Sequence, residues 1–191
     1  MVFDKEHWRD PRQTIATRYK NDDISYATHG ALVAMECVRR LDIPGKQAAS
    51  MKLLDYGCGT GRMARVLAGY FGHVTAFDPV SECISEGIKE CKIPQVNIAY
   101  TDKVDHLPWN NYDVIVSVNV LEHLKAEDQH EMLKTLRQVA KPGALLLLWY
   151  SLRTNRKAMQ EHLPFGPWID EDDQWMLNYP ESVIQTRVFR L

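Results

Sequence analysis

Short apolar runs alternate with amphipathic segments through the middle of the chain. The segments between the runs, among them residues 81–91 and 127–140, carry apolar side chains at three- and four-residue spacing, as helices do. Uniformly apolar strands are typical of a parallel sheet that helices cover on both faces. The pattern therefore predicts an α/β fold with a doubly wound, mostly parallel sheet. Five runs have the length and composition of strands: residues 51–56, 74–77, 96–100, 112–118 and 144–150.

The two ends of the chain are less regular. Residues 24–41 carry one apolar stripe, which predicts a helix ahead of the first strand. After residue 150, residues 170–173 form an acidic run, and we find only one candidate strand, residues 183–191. We therefore expect a sheet that is shortened at its C-terminal end and lacks an edge strand.

Composition and charge narrow the class of protein. The 191 residues include 23 Lys and Arg against 25 Asp and Glu, a formal net charge of −2. This balance argues against a broadly basic protein that coats nucleic acid. No apolar run approaches the ~20 residues that span a bilayer, and residues 1–10 carry no apolar signal segment. The four cysteines show no CxxC pairing, so we expect reduced thiols in a cytoplasmic protein.

A glycine-rich segment follows the first predicted strand and opens the next helix. Gly57, Gly59 and Gly61 occupy alternate positions in the run LLDYGCGTG. Glycine tolerates positive φ and lets a ligand approach the backbone, because it has no Cβ. Loops at the carboxyl ends of strands are where doubly wound sheets bind ligands. The segment therefore predicts a ligand-binding loop.

The residues around this loop distinguish between two ligands. Counted from Gly57, the dinucleotide pattern G-x-G-x-x-G/A fails at Arg62; counted from Gly59, it ends at Ala64 and is met. Asp55 stands two residues before the first glycine, where a carboxylate opposes a pyrophosphate but suits an ammonium group. S-adenosylmethionine carries an ammonium and a sulfonium, so Asp55 favours it. A nicotinamide oxidoreductase stays open as an alternative.

Asp78 ends the second predicted strand. A carboxylate at this position can accept hydrogen bonds from both hydroxyls of a ribose. Because Pro79 follows it, Asp78 also suits the N-cap of the next helix. The two roles can coexist, and neither distinguishes between the two ligands.

Five segments in order resemble the class I S-adenosylmethionine-dependent methyltransferases, of a small-molecule type similar to those of quinone biosynthesis. They are LLDYGCGTG, AFDP, TDKVDHLPW, YDVIVSVNVLEHL and LRQVAKPGALLLL, and they cover roughly residues 51–150. The resemblance implies a Rossmann-like methyltransferase fold with S-adenosylmethionine as the cofactor. For the methionine part it implies contacts with Asp55, Gly57, Cys58, Gly59, Thr60, Gly61, Asn119 and Val120. For the ribose and adenine it implies contacts with Asp78, Pro79, Val80, Asp102, Lys103 and Val104.

The segment after the fourth predicted strand raises the question of a metal. Some of the similar methyltransferases have E-x-x-E-H there and bind a divalent cation through it, but this chain has Asn119 at the first position. We therefore predict no metal. His123 is a weak candidate for a general base, since imidazole titrates near neutrality; packing or hydrogen bonding is the alternative role. No catalytic residue is otherwise assigned, because a sulfonium is already an activated methyl donor.

The acceptor is expected to be a small molecule. Trp8, Tyr19, Tyr26 and His123 are candidate substrate contacts, although the three aromatic residues could instead anchor peripheral helices. The DNA-amino-methyltransferase tetrapeptide is absent after the fourth strand, where SVNV stands, so no DNA substrate is expected. Two further alternatives stay open: an RNA or protein acceptor, and a non-catalytic subunit that binds S-adenosylmethionine.

The chain is expected to form a single methyltransferase domain over residues 1–191. Residues 1–47 would be an N-terminal helical cap, residues 48–150 the cofactor-binding core, and residues 151–191 a C-terminal substrate or edge region. With an edge strand missing, a homo-oligomer or a partner subunit would cover the C-terminal edge. No membrane span is expected.

Overall fold

The architecture is taken from a computed structural model, which describes residues 23–90, 95–152, 170–175 and 183–191. Trp8, Tyr19 and Cys91 lie outside the described residues. Within the described ranges, none of the helices has the length and apolarity needed to cross a bilayer.

The described residues contain one seven-stranded sheet with the strand order β3-β2-β1-β4-β5-β7-β6. Strands β1 to β5 pair in parallel with their neighbours, and β7 is antiparallel to both β5 and β6. The prediction of a doubly wound, mostly parallel sheet is therefore confirmed. The strands are β1 Lys52–Tyr56, β2 His73–Phe77, β3 Ile98–Thr101, β4 Tyr112–Val118, β5 Ala140–Leu152, β6 Asp170–Trp175 and β7 Val183–Arg190.

Helices cover both faces of the sheet. The first core layer packs α1 and α3 against one face, through residues such as Ala34 and Leu67. The second layer packs α5 against the opposite face, through residues such as Met132 and Leu136. The helices are α1 Asp23–Leu41, α2 Gly45–Ala48, α3 Arg62–Leu67, α4 Ser81–Glu90 and α5 Ala126–Val139, with 3₁₀ turns at Val104–His106 and Leu121–His123.

The expectation of a shortened sheet is wrong. Strand β6 comprises the acidic run, and it pairs with β7 from Asp170–Val188 to Trp175–Val183. As the outermost strand it has one neighbour, and charged residues are common on edge strands because they discourage further pairing. The hydrophobic pattern therefore did not reveal it. The reason for expecting a partner subunit at this edge, a missing strand, no longer applies.

Strand β5 is also longer than its apolar run. The predicted turn at residues 141–143 lies inside the strand as a bulge, because the pairing moves from Tyr112–Ala140 directly to Val114–Leu145. Gly143 accommodates the irregularity with a φ of +81°. The strand therefore begins before the bulge, at Ala140.

Gly87 in α4 marks a close approach between that helix and the glycine-rich loop. A Cβ at this position would lie 2.3 Å from the carbonyl oxygen of Thr60. Glycine in a helix interior normally costs about 1 kcal/mol relative to alanine. Here the missing side chain allows α4 to pack against the loop.

Gly87→Ala is therefore expected to destabilise the protein by roughly 1–3 kcal/mol, the usual cost of overpacking, in spite of the gain in helix propensity. Chemical denaturation measures the free energy of unfolding. Gly45→Ala, in the short helix α2, is the matched control because nothing lies within 4 Å of its added Cβ. Equal stabilisation by the two substitutions would contradict the packing argument.

Candidate cofactor-binding site

The loop over residues 57–61 connects β1 to α3, and its three glycines have left-handed backbones. The φ angles are +80° at Gly57, +57° at Gly59 and +72° at Gly61. A Cβ on Gly57 would lie 2.2 Å from Cγ2 of Val120, and one on Gly61 would lie 2.7 Å from Cε1 of Tyr100. Both the conformation and the close packing therefore require glycine at these two positions.

The loop is hydrogen-bonded to the end of β2. The backbone N–H groups of Gly57 and Cys58 both donate to the carbonyl oxygen of Phe77, at 2.8 and 2.9 Å. Asp78 accepts from the N–H of Gly59 through Oδ2 at 2.8 Å and from the N–H of Val80 through Oδ1 at 3.0 Å. Its carboxylate therefore joins the loop to Val80, the residue before α4; Val80 and not Asp78 is the N-cap, because its carbonyl oxygen accepts from the N–H of Ile84.

Asp78 keeps acceptor capacity beyond these two bonds, because an ionised carboxylate has about four lone-pair sites. Burial raises the pKa of this carboxyl, and the hydrogen bonds from Val80 and Gly59 oppose the shift. The geometry is therefore compatible with a ribose contact in addition to these two bonds.

Asp55 is the most unusual group at the site. The residue is 2% exposed, and its Oδ2 has no hydrogen-bond partner. Its pKa is raised to about 7, mainly by burial and also by the negative charge of Asp78, while the positive charge of Arg62 acts in the opposite direction. A buried carboxylate with an unpaired oxygen costs free energy unless a cation or donor completes it. The position suits a positively charged ligand group.

The end of β4 lies on the other side of the glycine loop. Asn119 adopts a φ of +54°, and its backbone N–H donates to the carbonyl oxygen of Trp149 at 2.8 Å. Val120 packs behind it against Gly57. Because β1 lies between β2 and β4, the loop occupies the point where the strand order reverses, which is where such sheets bind ligands.

The candidate adenine residues lie at the neighbouring carboxyl end of β3. The backbone N–H of Asp78 donates to the carbonyl oxygen of Thr101 at 3.2 Å, which brings the ends of β2 and β3 together. Asp102, Lys103 and Val104 are exposed there. Pro79 is half-buried, whereas Val80 is buried in the protein.

Two loop residues are buried on the protein side. Cys58 has its thiol 3.4 Å from the carbonyl oxygen of Gly59. The Thr60 hydroxyl shares a hydrogen bond of 2.9 Å with that of Tyr26, and its carbonyl accepts from Arg65 at 2.8 Å. Thr60 therefore connects the loop to α1 and α3.

The two candidate substrate residues that the structure describes, Tyr26 and His123, lie in different surroundings. Tyr26 contacts the glycine loop through Thr60. His123 is exposed at the end of the 3₁₀ turn that follows Asn119. Among the residues that the structure describes, no group of three or more His, Cys, Asp or Glu side chains is placed to hold a metal ion.

Several residues that pack around the glycine loop were not predicted from the sequence. Tyr100 and Gly87 both pack against the loop, and Arg62 contacts the ring of Tyr26. The available indications were glycines inside predicted helices: Gly87, a weak position in the helix predicted over residues 81–91, and Gly30, where a Cβ would lie 2.8 Å from Cγ of Arg62.

A family model described as a methyltransferase domain matches residues 31–187. The chain belongs to this methyltransferase family. The match includes the glycine loop and all seven strands except the end of β7, and it confirms the resemblance found in the sequence.

Individual relatives are more distant. A ubiquinone biosynthesis O-methyltransferase of Rickettsia canadensis is 30% identical over 102 residues, covering 52% of this chain and 42% of the relative. A tRNA N(3)-cytidine methyltransferase of Rattus norvegicus is 26% identical over 110 residues, covering 53% of this chain and 38% of the relative. The chain thus spans less than half the length of these curated relatives.

A solved structure agrees over the whole fold. The magnesium protoporphyrin IX methyltransferase of Synechocystis, crystallised with bound S-adenosylmethionine, superposes with a TM-score of 0.69 at 17% identity. The superposition covers 99% of this chain and 98% of that one. The fold of this family member is therefore the Rossmann-like methyltransferase fold.

Asp55→Asn is expected to stabilise the ligand-free protein at neutral and higher pH. The folded pKa of about 7 lies above the ordinary 3.8, so the contribution of Asp55 to stability is full below pH 4 and is lost as the pH rises through 7. The free energy of unfolding of the variant should therefore exceed that of the wild type by roughly 4 kcal/mol at pH 8. The free energy of unfolding between pH 4 and 8 measures this.

Asp113→Asn is the matched control with the opposite sign. Partial burial raises the pKa of Asp113, but hydrogen bonds from Lys141 and from the N–H of Lys52 lower it below its ordinary value. Its stabilising contribution is present above the unfolded pKa and is lost as the pH falls through the lower folded pKa. Loss of stability at pH 8 in both variants would contradict the assignment of Asp55.

Proposed function

We propose that this chain transfers a methyl group from S-adenosylmethionine to an oxygen, nitrogen or carbon atom of a small-molecule acceptor. The observation that carries the proposal is the unpaired, buried oxygen of Asp55 at the base of a glycine loop. An ammonium group completes that carboxylate, whereas a pyrophosphate would be repelled by it. The same residue therefore argues against a nicotinamide dinucleotide.

The residues present fit the cofactor. Asp55 would hold the ammonium group, and the backbone of Gly57, Gly59 and Gly61 would allow the methionine part to approach closely. Asp78 would accept from the ribose while it keeps its bond to Gly59. The adenine would be held by Pro79, Val80, Asp102, Lys103 and Val104, and the sulfonium would be bordered by Asn119 and Val120.

When bound, S-adenosylmethionine supplies a methyl group that its sulfonium has already activated. The protein then has to exclude water and hold the acceptor in line with that methyl group, which can account for most of the acceleration. His123 is our candidate for removing a proton from an acceptor that must lose one, since it is exposed at the end of the turn that follows Asn119.

We further propose that residues 1–191 act as one methyltransferase domain with residues 1–47 as its cap. We also propose that the protein is cytoplasmic and that its acceptor is a small molecule. The packing of α1 in the same core layer as α3 supports the single domain. The free, buried thiols of Cys37, Cys58 and Cys83 support a reducing compartment. The ubiquinone-pathway relative supports a small acceptor, and the tRNA-modifying relative makes RNA the alternative to test.

Calorimetric titration with S-adenosylhomocysteine tests the cofactor assignment. The wild type is expected to bind, and Asp55→Asn is expected to lose about 10–100-fold in affinity, because a hydrogen bond to a charged group contributes roughly 1.5–3 kcal/mol. Asp113→Asn, on the same sheet, should leave the affinity unchanged. Binding of NADH by the wild type, with no effect of Asp55→Asn, would reject the proposal in favour of an oxidoreductase.

Transfer of a radiolabelled methyl group tests whether the chain is catalytic. We expect label to enter a pool of small quinols, phenols and amines rather than transfer RNA. Label in the RNA alone would move the acceptor class to nucleic acid. Tight binding of the donor with no transfer to any pool would indicate a non-catalytic subunit.

A further inference from the structure

One face of the sheet is open beside β3. The side chains of a strand point alternately to the two faces of its sheet. Ile98 and Tyr100 pack against the first core layer, and among the described residues the second layer includes none from β3. The connection from β3 to β4 contains the 3₁₀ turn Val104–His106 and no α-helix, so nothing helical in that connection covers the second face. Ala99 is exposed there.

This open face is the floor of a groove of about 560 Å³. Thr75 of β2 and Ala99 of β3 are partners in the sheet register, and both line the groove together with Thr101. The ring of Tyr112, at the start of β4, is a further part of its lining. Because pockets for small molecules commonly enclose about 300–1,000 Å³, the groove is large enough to hold one.

Two basic side chains lie next to one another at the amino end of the groove. Lys52 and His73 are the first residues of β1 and β2 and are register partners. They therefore project from one face of neighbouring strands that are about 4.8 Å apart. The Lys52 ammonium donates to Oδ1 of Asn111 at 2.9 Å, which uses one of its three N–H groups. His106, on the 3₁₀ turn, adds a third basic side chain to the lining.

No negative charge balances these groups in the part of the chain that the structure describes. The lining of the groove contains no carboxylate there, and none of Lys52, His73 and His106 is in an ion pair. Asp113 of β4 accepts instead from Lys141 at 2.7 Å and from the backbone N–H of Lys52 at 2.9 Å. Basic groups in a concave surface with apolar walls attract anions, because such walls focus the electric field.

We propose that this groove is a second ligand site, which binds a small organic anion such as an organic phosphate or carboxylate. The charged group of the ligand lies against Lys52 and His73, and its apolar part covers Ala99 and the ring of Tyr112. The site does not depend on the proposed methyl transfer. Its basic pair stands at the amino ends of β1 and β2, whereas the glycine loop follows the carboxyl end of β1.

Titration of phenyl phosphate into the full chain, followed by saturation-transfer NMR, tests the proposal. We expect saturable binding that weakens as salt is added, because ions screen exposed charges. Lys52→Gln and His73→Gln should each lower the affinity by about 2- to 5-fold, the fold-change that corresponds to an exposed ion pair. Lys46→Gln in α2 and His130→Gln in α5 change exposed residues of the same types, and both controls should leave the affinity unchanged.

Ala99→Leu tests the location of the ligand. Because Ala99 is exposed, the larger side chain should fill the groove without disturbing the core, and thermal unfolding checks that the variant is folded. We expect it to abolish the binding of phenyl phosphate. Asp55→Asn, in the cofactor site, should bind phenyl phosphate as the wild type does.

Each of the other outcomes would overturn the proposal. Equal affinity for benzyl alcohol, which is similar in size but uncharged, would mean that the groove selects apolar groups and not anions. Unchanged affinity in a folded Ala99→Leu variant, or loss of affinity in Asp55→Asn, would place the anion elsewhere. Equal losses in Lys46→Gln and Lys52→Gln would show an effect of overall charge. Absence of binding by the wild type at millimolar phenyl phosphate would remove the site altogether, and would leave the proposed cofactor site untouched.

Discussion

The structure depends on one steric constraint: the chain must pass from β1 into α3 through a loop that has no room for side chains. Val120, just after β4, packs against Gly57, and Tyr100 of β3 packs against Gly61; α4 places Gly87 against the carbonyl of Thr60. Each contact is short because a Cβ is missing. The ends of β1, β3 and β4 and the helix α4 can therefore meet at one point, and the backbone there is open to a ligand.

The buried carboxylates beside the glycine loop lower the stability of the folded protein. Two carboxylates, Asp55 and Asp78, are buried near one another; backbone N–H groups satisfy Asp78, whereas one oxygen of Asp55 has no partner. Burial of such a group lowers the stability of the free protein, and binding of a cation recovers it. This is the common trade between stability and function, and it explains why a substitution that stabilises the fold is expected to weaken binding.

Most of the fold and part of the site could be predicted because they depend on local patterns. The apolar runs specified β1 to β4 to within about two residues, since β1, β2 and β4 are buried on both faces and the edge strand β3 is still half-buried. The acidic strand β6 escaped prediction because an edge strand needs no apolar pattern. The bulge in β5 escaped because a Lys-Pro-Gly sequence is equally suited to a turn. Its place in the sheet depends on the pairing with β4 on either side of it and on the hydrogen bond from the N–H of Gly143 to the carbonyl oxygen of Leu191.

The sequence by itself determined the chemistry of the loop: three glycines, a carboxylate before them and another at the end of β2, each required by a local conformation or charge. The tertiary structure decided which other residues pack around the loop. Tyr26 and Arg62 are separated along the chain but lie in contact, and that contact depends on how α1 packs on α3. No local pattern records such a distance, because it results from packing between elements. The sequence accordingly showed that residue 55 is a carboxylate, whereas its raised pKa depends on the burial and the neighbouring charges that only the fold provides.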